Sequence, residues 1–187
     1  MCGIVGLYLK NMDMHPKLGA LFAPMLIAMT DRGPDSAGFA LYRNPVGENE
    51  TKFTLASDDA KTDWHSLASE LKTKLECGAQ IVVHGDHAVM VTDGDPQAVQ
   101  IWLEEFRPNV RIVGSGRAIE IFKQTGLPKD VAEQFKLASA KGSHAIGHTR
   151  MATESAVTTE GSHPFATGLD LCLVHNGSLS NHNWVRR

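Results

Sequence analysis

Met1-Cys2-Gly3-Ile4-Val5-Gly6 places a cysteine directly behind the initiator methionine, so removal of that methionine leaves Cys2 carrying both a thiol and a free α-amine. A thiolate is a strong nucleophile, and an α-amine with a reference pKa of about 7.7–8.0 can take the thiol proton near neutral pH. One residue then combines nucleophile and base and needs no histidine or aspartate partner. Taken alone, the same cysteine is equally compatible with a small residue preceding a strand. Three later segments decide between these readings.

The segments are Asp31-Arg32-Gly33-Pro34-Asp35-Ser36-Ala37-Gly38, Gly147-His148-Thr149-Arg150-Met151-Ala152-Thr153 and Val174-His175-Asn176-Gly177-Ser178-Leu179-Ser180-Asn181. With the N-terminal cysteine, and in this order, they resemble the class II glutamine amidotransferase domain of the N-terminal-nucleophile hydrolase superfamily. In wording, residues 147–165 look most like small stand-alone amidotransferase subunits of glutamate-synthase-like and N-methylglutamate-synthase-like complexes. The resemblance implies an α+β fold, the αββα sandwich of that superfamily, and a glutaminase reaction through a cysteinyl thioester. It assigns Cys2 as nucleophile, and the Asn176 side-chain amide with the Gly177 backbone N–H as donors to the oxyanion. Arg150 is assigned to the α-carboxylate of glutamine, where a planar fork matches a carboxylate as lysine cannot, and Thr153 to the substrate beside it. Arg32 and Asp35 are supports of the loop next to Cys2. Members with a transferase partner often carry histidine after this threonine; Glu154 stands there and argues against the sugar-aminating branch. The implied partner is a synthase subunit that accepts ammonia, with FMN and an iron–sulfur cluster on that partner and no cofactor in this chain.

Bulk properties agree with small-molecule chemistry. The 187 residues carry 18 basic and 21 acidic side chains, a net charge of -3 without a basic block, which gives no case for nucleic acid or an anionic membrane. No charged leader followed by an apolar run, and no stretch of membrane-spanning length, is visible, so a cytoplasmic protein is expected. Cys2, Cys77 and Cys172 are an odd set without CxxC spacing, against both a disulfide framework and a cysteine zinc site.

Hydrophobic spacing predicts a buried strand over residues 4–9, then a helix whose face carries Leu18, Leu21, Phe22, Met25, Leu26 and Met29, interrupted or delayed by Pro24. Residues 31–35 read as a loop and 37–42 as a second strand. Helices are expected at 64–75 and 96–106, and strands at 80–84, 88–92, 110–113 and 118–123. Residues 1–187 then form one domain with a βαβ-type insertion at 79–127. Gly114-Ser115-Gly116 after a strand raises a phosphate-binding turn, but Ile119 stands where the third glycine of GxGxxG belongs, so a tight turn is the better reading. His84-Gly85-Asp86-His87 approaches metal-ligand spacing only if a turn separates the histidines. His148, His163 and His175 read as hydrogen-bonding supports.

Class II domains normally continue past the Asn-Gly block, where an acidic residue holds the substrate ammonium. The sequence ends at Arg187, six residues after Asn181, so an incomplete C-terminal end is expected. Two other readings stay open: a non-catalytic assembly or regulatory subunit that retains the fold, and an N-terminal-nucleophile hydrolase for another amide. Arg150 favours an α-amino acid substrate over acyl amides.

Overall fold

In the computed structural model, which describes residues 2–152 and 156–177, the chain runs β1 (Gly3–Tyr8), α1 (Leu18–Ile27), β2 (Ser36–Tyr42), β3 (Thr51–Ser57), α2 (Trp64–Leu75), β4 (Ala79–His84), β5 (His87–Thr92), α3 (Pro96–Phe106), β6 (Val110–Gly116), β7 (Ile119–Thr125), α4 (Pro128–Gln134), β8 (His144–Arg150), β9 (Phe165–Gly168) and β10 (Leu171–Leu173).

Alternation along β2 builds the first half of the fold. Ala37, Phe39 and Leu41 point to one face and share a core with Leu18, Phe22 and Leu26 of α1 and Val131 and Ala132 of α4. The sheet beneath these helices has the order β1-β8-β2-β7, every pair antiparallel. On its other face Ala40, Ile119 and Ile121 meet Ala56 and Val113 of a second sheet, ordered β4-β5-β3-β6. The far side of that sheet packs Phe53 and Leu55 against Trp64, Leu67 and Leu71 of α2 and Val99, Trp102 and Leu103 of α3. The layers are therefore helices, sheet, sheet, helices: the αββα sandwich that the sequence implies.

Because β3 is antiparallel to both β5 and β6, those two strands run parallel with β3 between them, and α3 is their crossover. By the same logic β3 and β4 run parallel with β5 between them, joined by α2. Residues 51–116 thus form an interleaved βαββαβ unit of ferredoxin-like topology. Both crossover helices start on an aspartate cap: Asp63 accepts from the His65 and Ser66 N–H groups, and Asp95 from Ala98 N–H ahead of Pro96 at the first helical position. The 79–127 segment divides in space. Its β4, β5, α3 and β6 complete the unit begun by β3 and α2, whereas β7 pairs with β2 in the first sheet.

Three expectations change. β1 is an edge strand and not a buried one: Val5 packs under α1, but Ile4 is 42% exposed because the second sheet does not extend beneath it. Leu21 is also 42% exposed, since α1 turns its small residues Gly19 and Ala23 inward instead, and the helix runs on past Pro24 to Ile27. Gly114-Ser115-Gly116 is no turn before a helix. It is the end of β6, paired with Thr54, Phe53 and Lys52, and a strand follows, so no helix N-terminus faces it.

Gly19 supports a specific expectation. Its N–H donates to the Ala140 carbonyl at 2.9 Å, and a Cβ there would lie 2.0 Å from the Leu137 carbonyl oxygen and 2.7 Å from the Ala140 nitrogen. Gly19→Ala gains about 1 kcal/mol of helix propensity, but overpacking against backbone costs about 1–3 kcal/mol. The variant should unfold at lower urea concentration with an unchanged slope; a raised midpoint would show that residues 137–140 yield freely.

Candidate functional site

The first sheet sets the site at one end of its strands. Central β8 pairs Thr149 with Gly3 of β1 and Arg150 with Ser36 of β2, so Cys2 and the loop before β2 converge on the last residues of β8. Cys2 is half-buried, with Sγ 4.0 Å from the Met151 carbonyl oxygen. Asp35 ties the loop down three ways. Its N–H donates to the Arg150 carbonyl at 3.1 Å, its own carbonyl accepts from Gly126 N–H at 2.8 Å, and its carboxylate accepts from Ala152 N–H at 2.7 Å. Arg32 Nε donates to the Cys2 carbonyl at 3.4 Å.

The Asn-Gly block reaches the same place from the far end of the chain. Asn176 Nδ2 donates to the Cys2 carbonyl at 2.8 Å, and Gly177 next to it holds φ at +152°, which L side chains rarely adopt. The turn between β9 and β10 is fixed by Asp170, whose carboxylate accepts the N–H groups of Arg117 and Ala118 at 2.8 Å and Ile119 at 2.9 Å. Burial alone would raise the Asp170 pKa, but these three donors outweigh it and the carboxyl lies below its ordinary value.

His148 links β8 to this block: its Nε2 donates to the His175 carbonyl at 3.0 Å, which leaves Nδ1 buried without a partner. Its ring lies 4.3 Å from that of His163, whose Nδ1 is also buried and unpartnered, and His163 packs edge-on to Phe165 at 4.5 Å. Burial, reinforced by His148, Lys123, His175 and Arg150, pushes the His163 pKa down to about 4. Burial likewise lowers that of His148.

Of the residues singled out in the sequence, Cys2, Arg32, Asp35, Arg150, Asn176 and Gly177 are gathered here. Thr153, with Glu154, lies outside the described residues. Arg150 Nη1 donates to the carbonyls of Ala156 at 3.3 Å and Gly161 at 3.2 Å, bracing the following loop. Two contributors escape motif reading. Asp170 has no spacing that marks it. Lys123 does leave a trace: it occupies the next inward position after Ile119 and Ile121 on β7, a charge in an apolar register. Its Nζ donates to the carbonyls of Glu160 at 3.1 Å and Ser162 at 2.8 Å, and burial, with Arg111 adding to it, pushes its pKa down to about 8. His84 and His87 flank a tight turn, and both rings pack on Phe122. Among the described residues no group of three His, Cys, Asp or Glu could hold a metal ion, and no helix is long and apolar enough to cross a membrane.

No family model matches the chain. Individual proteins do. Over 190 residues, covering all of this chain and 62% of the relative, it is 53% identical to the glutamine amidotransferase-like protein GlxB of Rhizobium meliloti. A putative glutamine amidotransferase of Methanothermobacter thermautotrophicus is 33% identical over 202 residues, again covering the whole chain and 64% of that protein. A 77-residue stretch, 41% of the chain, is 31% identical to 12% of the glutamine–fructose-6-phosphate aminotransferase of Vibrio cholerae. The chain thus spans less than two thirds of the length of the first two relatives.

The histidine pair dictates an acid response. With the folded pKa of His163 near 4 and an ordinary value of 6.5, the unfolded chain binds more protons between those values, so this contribution to stability is intact above pH 6.5 and is lost as the pH falls toward 4. The urea midpoint should decline across that window, and less steeply in His163→Phe. Identical slopes for both proteins would assign the acid response to other groups.

Proposed function

We propose that this chain, which belongs to the class II glutamine amidotransferase family, uses Cys2 to hydrolyse the side-chain amide of glutamine and release ammonia. The observation that carries this reading is the 2.8 Å hydrogen bond from the Asn176 amide to the Cys2 carbonyl, between residues 174 positions apart. It puts a side-chain N–H donor within one residue of the thiol, the juxtaposition that attack on an amide needs.

In this reading the Cys2 α-amine, freed by loss of Met1, takes the thiol proton, and the sulfur adds to the amide carbon of glutamine. The tetrahedral oxyanion lies against Asn176 Nδ2–H and the Gly177 N–H. Donors of this kind stabilise charge that develops only in the transition state, and deleting one costs about 10²–10³ in kcat. The proton returns to the leaving nitrogen, the C–N bond breaks, and ammonia departs from a γ-glutamyl thioester. Water then adds through the same oxyanion, giving glutamate and the free thiol. Arg150 orients the substrate by its α-carboxylate, with Thr153 beside it, while Arg32 and Asp35 hold the Cys2 end of the site in place.

The ammonia is destined for an acceptor on another domain or subunit. The wording of residues 147–165 and the presence of Glu154 support a glutamate-synthase-like partner rather than a sugar-aminating one. In this reading FMN and an iron–sulfur cluster sit on that partner, and the unspaced cysteines Cys2, Cys77 and Cys172 agree with it. A cytoplasmic setting suits this chemistry.

A diazoketone analogue of glutamine tests the reading in the native-length protein. Mass spectrometry should find one adduct, on Cys2, in material that has lost Met1, and Cys2→Ala should abolish both labelling and ammonia release. Asn176→Ala should lower kcat by about 10²–10³ with the thiol still alkylated by small reagents. Equal adducts on all three cysteines, or ammonia release from protein that retains Met1, would sink the terminal-cysteine mechanism.

A further inference from the structure

Behind the site lies a buried cation that forms no ion pair with a described carboxylate. Lys123 is 6% exposed. Two of its protons go to the Glu160 and Ser162 carbonyls, and its ammonium lies 4.6 Å from the centre of the Phe165 ring. Placing a charge in such surroundings is costly, and where packing alone mattered the position would suit another isoleucine better. What the ammonium secures is the path of one segment, residues 156–165.

That segment is held from two strands. From β7, Lys123 grips the carbonyls at 160 and 162, and Gln124 Oε1 accepts from the Thr159 hydroxyl. From β8, Arg150 Nη1 reaches the carbonyls at 156 and 161. Within the segment Gly161 N–H donates to Thr158 Oγ1 at 3.0 Å, and Ser162 Oγ donates to the Thr158 carbonyl at 2.8 Å. The Gly161 carbonyl that braces the Arg150 guanidinium thus stands between the two carbonyls that Lys123 fixes. The hydrogen bonds of Lys123 go to the 160 and 162 carbonyls, whereas the Cys2 thiol and the Asn176 amide bond to the Met151 and Cys2 carbonyls.

We propose that Lys123 is a positioning residue for the substrate carboxylate: by fixing the backbone on both sides of Gly161 it aims the Arg150 guanidinium, and so governs how well glutamine is held rather than how fast its amide is cleaved. This rests on the glutaminase reading above. A planar fork recognises a carboxylate only in the right orientation. Releasing the brace therefore weakens binding of a substrate that has an α-carboxylate and leaves a substrate without one unaffected.

The test compares glutamine with 4-aminobutanamide, the same amide lacking the carboxylate, in the native-length protein. Lys123→Met keeps the length of the stem and removes the donors. It should lower kcat/KM on glutamine roughly tenfold, through KM with kcat nearly unchanged, and leave kcat/KM on 4-aminobutanamide within about twofold. Lys123→Arg, which restores a buried cation with several donors, should recover most of the loss. Lys123→Gln, which keeps an amide donor for one carbonyl, serves if the methionine variant does not fold, and should show a smaller loss with the same substrate dependence. Equal losses on both substrates, a loss confined to kcat, or no loss would overturn the proposal; so would failure of both the methionine and glutamine variants to fold, which would make the lysine a stability residue. A wild-type protein that releases no ammonia from glutamine overturns the glutaminase reading itself and this proposal with it.

Discussion

The register of β8 between β1 and β2 is the constraint on which the rest depends. Ala145, Gly147 and Thr149 face α1, whereas Ile146, His148 and Arg150 face the other side. Gly147 leaves no room for a side chain: a Cβ there would come within 2.9 Å of the Phe22 ring and 3.0 Å of Leu26. A slip of one residue would thrust His148 under the helix and turn Thr149 toward the site, since strand side chains alternate. Apolar packing under α1 therefore aims the polar residues on the opposite face. Thr149 reinforces the register by donating its hydroxyl to the Met29 carbonyl at 3.1 Å. Burial of hydrocarbon and orientation of the polar groups at the candidate site are two consequences of one alignment.

Polar ties then hold the sandwich layers to one another at both ends. Away from the site, Lys52 of β3 and Glu120 of β7 are 5% and 4% exposed and pair at 2.9 Å, with Arg43 joining Glu120 at 3.2 Å. Such a pair contributes little net stability because each charge loses its water, but removing one member leaves a buried charge and costs about 3–5 kcal/mol. Its effect is to permit one alignment of the two sheets. Asp170 acts similarly on the β9–β10 hairpin, gripping the turn between β6 and β7 by three N–H groups, and Tyr42 donates its hydroxyl to the Asp170 carbonyl at 3.1 Å. The hairpin that leads to Asn176 is thereby anchored to both sheets.

Much of this is legible in the sequence where function and local backbone rules coincide. The helices at Trp64–Leu75 and Pro96–Phe106 carry their own aspartate caps and spacing, so both are read with their ends correct. Cys2, Arg150 and Asn176 sit in blocks whose wording is distinctive, and the structure brings them to one end of the sheet. What periodicity cannot convey is which neighbour covers a face. Ile4 and Leu21 have the right character for burial but lack a covering layer among the described residues, while Gly114-Ser115-Gly116 reads as a tight turn although it is the end of a strand paired with β3. The interleaved order of the second sheet is invisible for the same reason, because strand order is fixed by long-range pairing. Lys123 continues the register of Ile119 and Ile121, and its partners, the carbonyls of Glu160 and Ser162, lie too far along the chain for any local pattern to show them.

The way the chain leaves the first sheet and comes back has a consequence for its modularity. β2 and β7 are hydrogen-bonded neighbours, with Tyr42 opposite Ile119, so the 76 residues between them depart and return at adjacent points, roughly one strand spacing apart. A tight hairpin turn could close the same gap without altering the pairing of either strand. The βαββαβ unit is in effect mounted on a hairpin, and the sequence within it is free to diverge, shrink or be exchanged while the strands that aim Arg150 keep their register. Such an exchange carries three costs: the unit covers Ala40, Ile119 and Ile121, supplies Lys52 to Glu120 and presents Ser115, Arg117 and Ala118 to Asp170, so any replacement must roof those apolar side chains, neutralise one carboxylate and keep the grip on the β9–β10 hairpin. A lineage could remodel the outer helices of this appendage without retuning the chemistry at the other end of the sheet, but residues 115–119, which hold Asp170 and with it the hairpin that leads to Asn176, must keep their path.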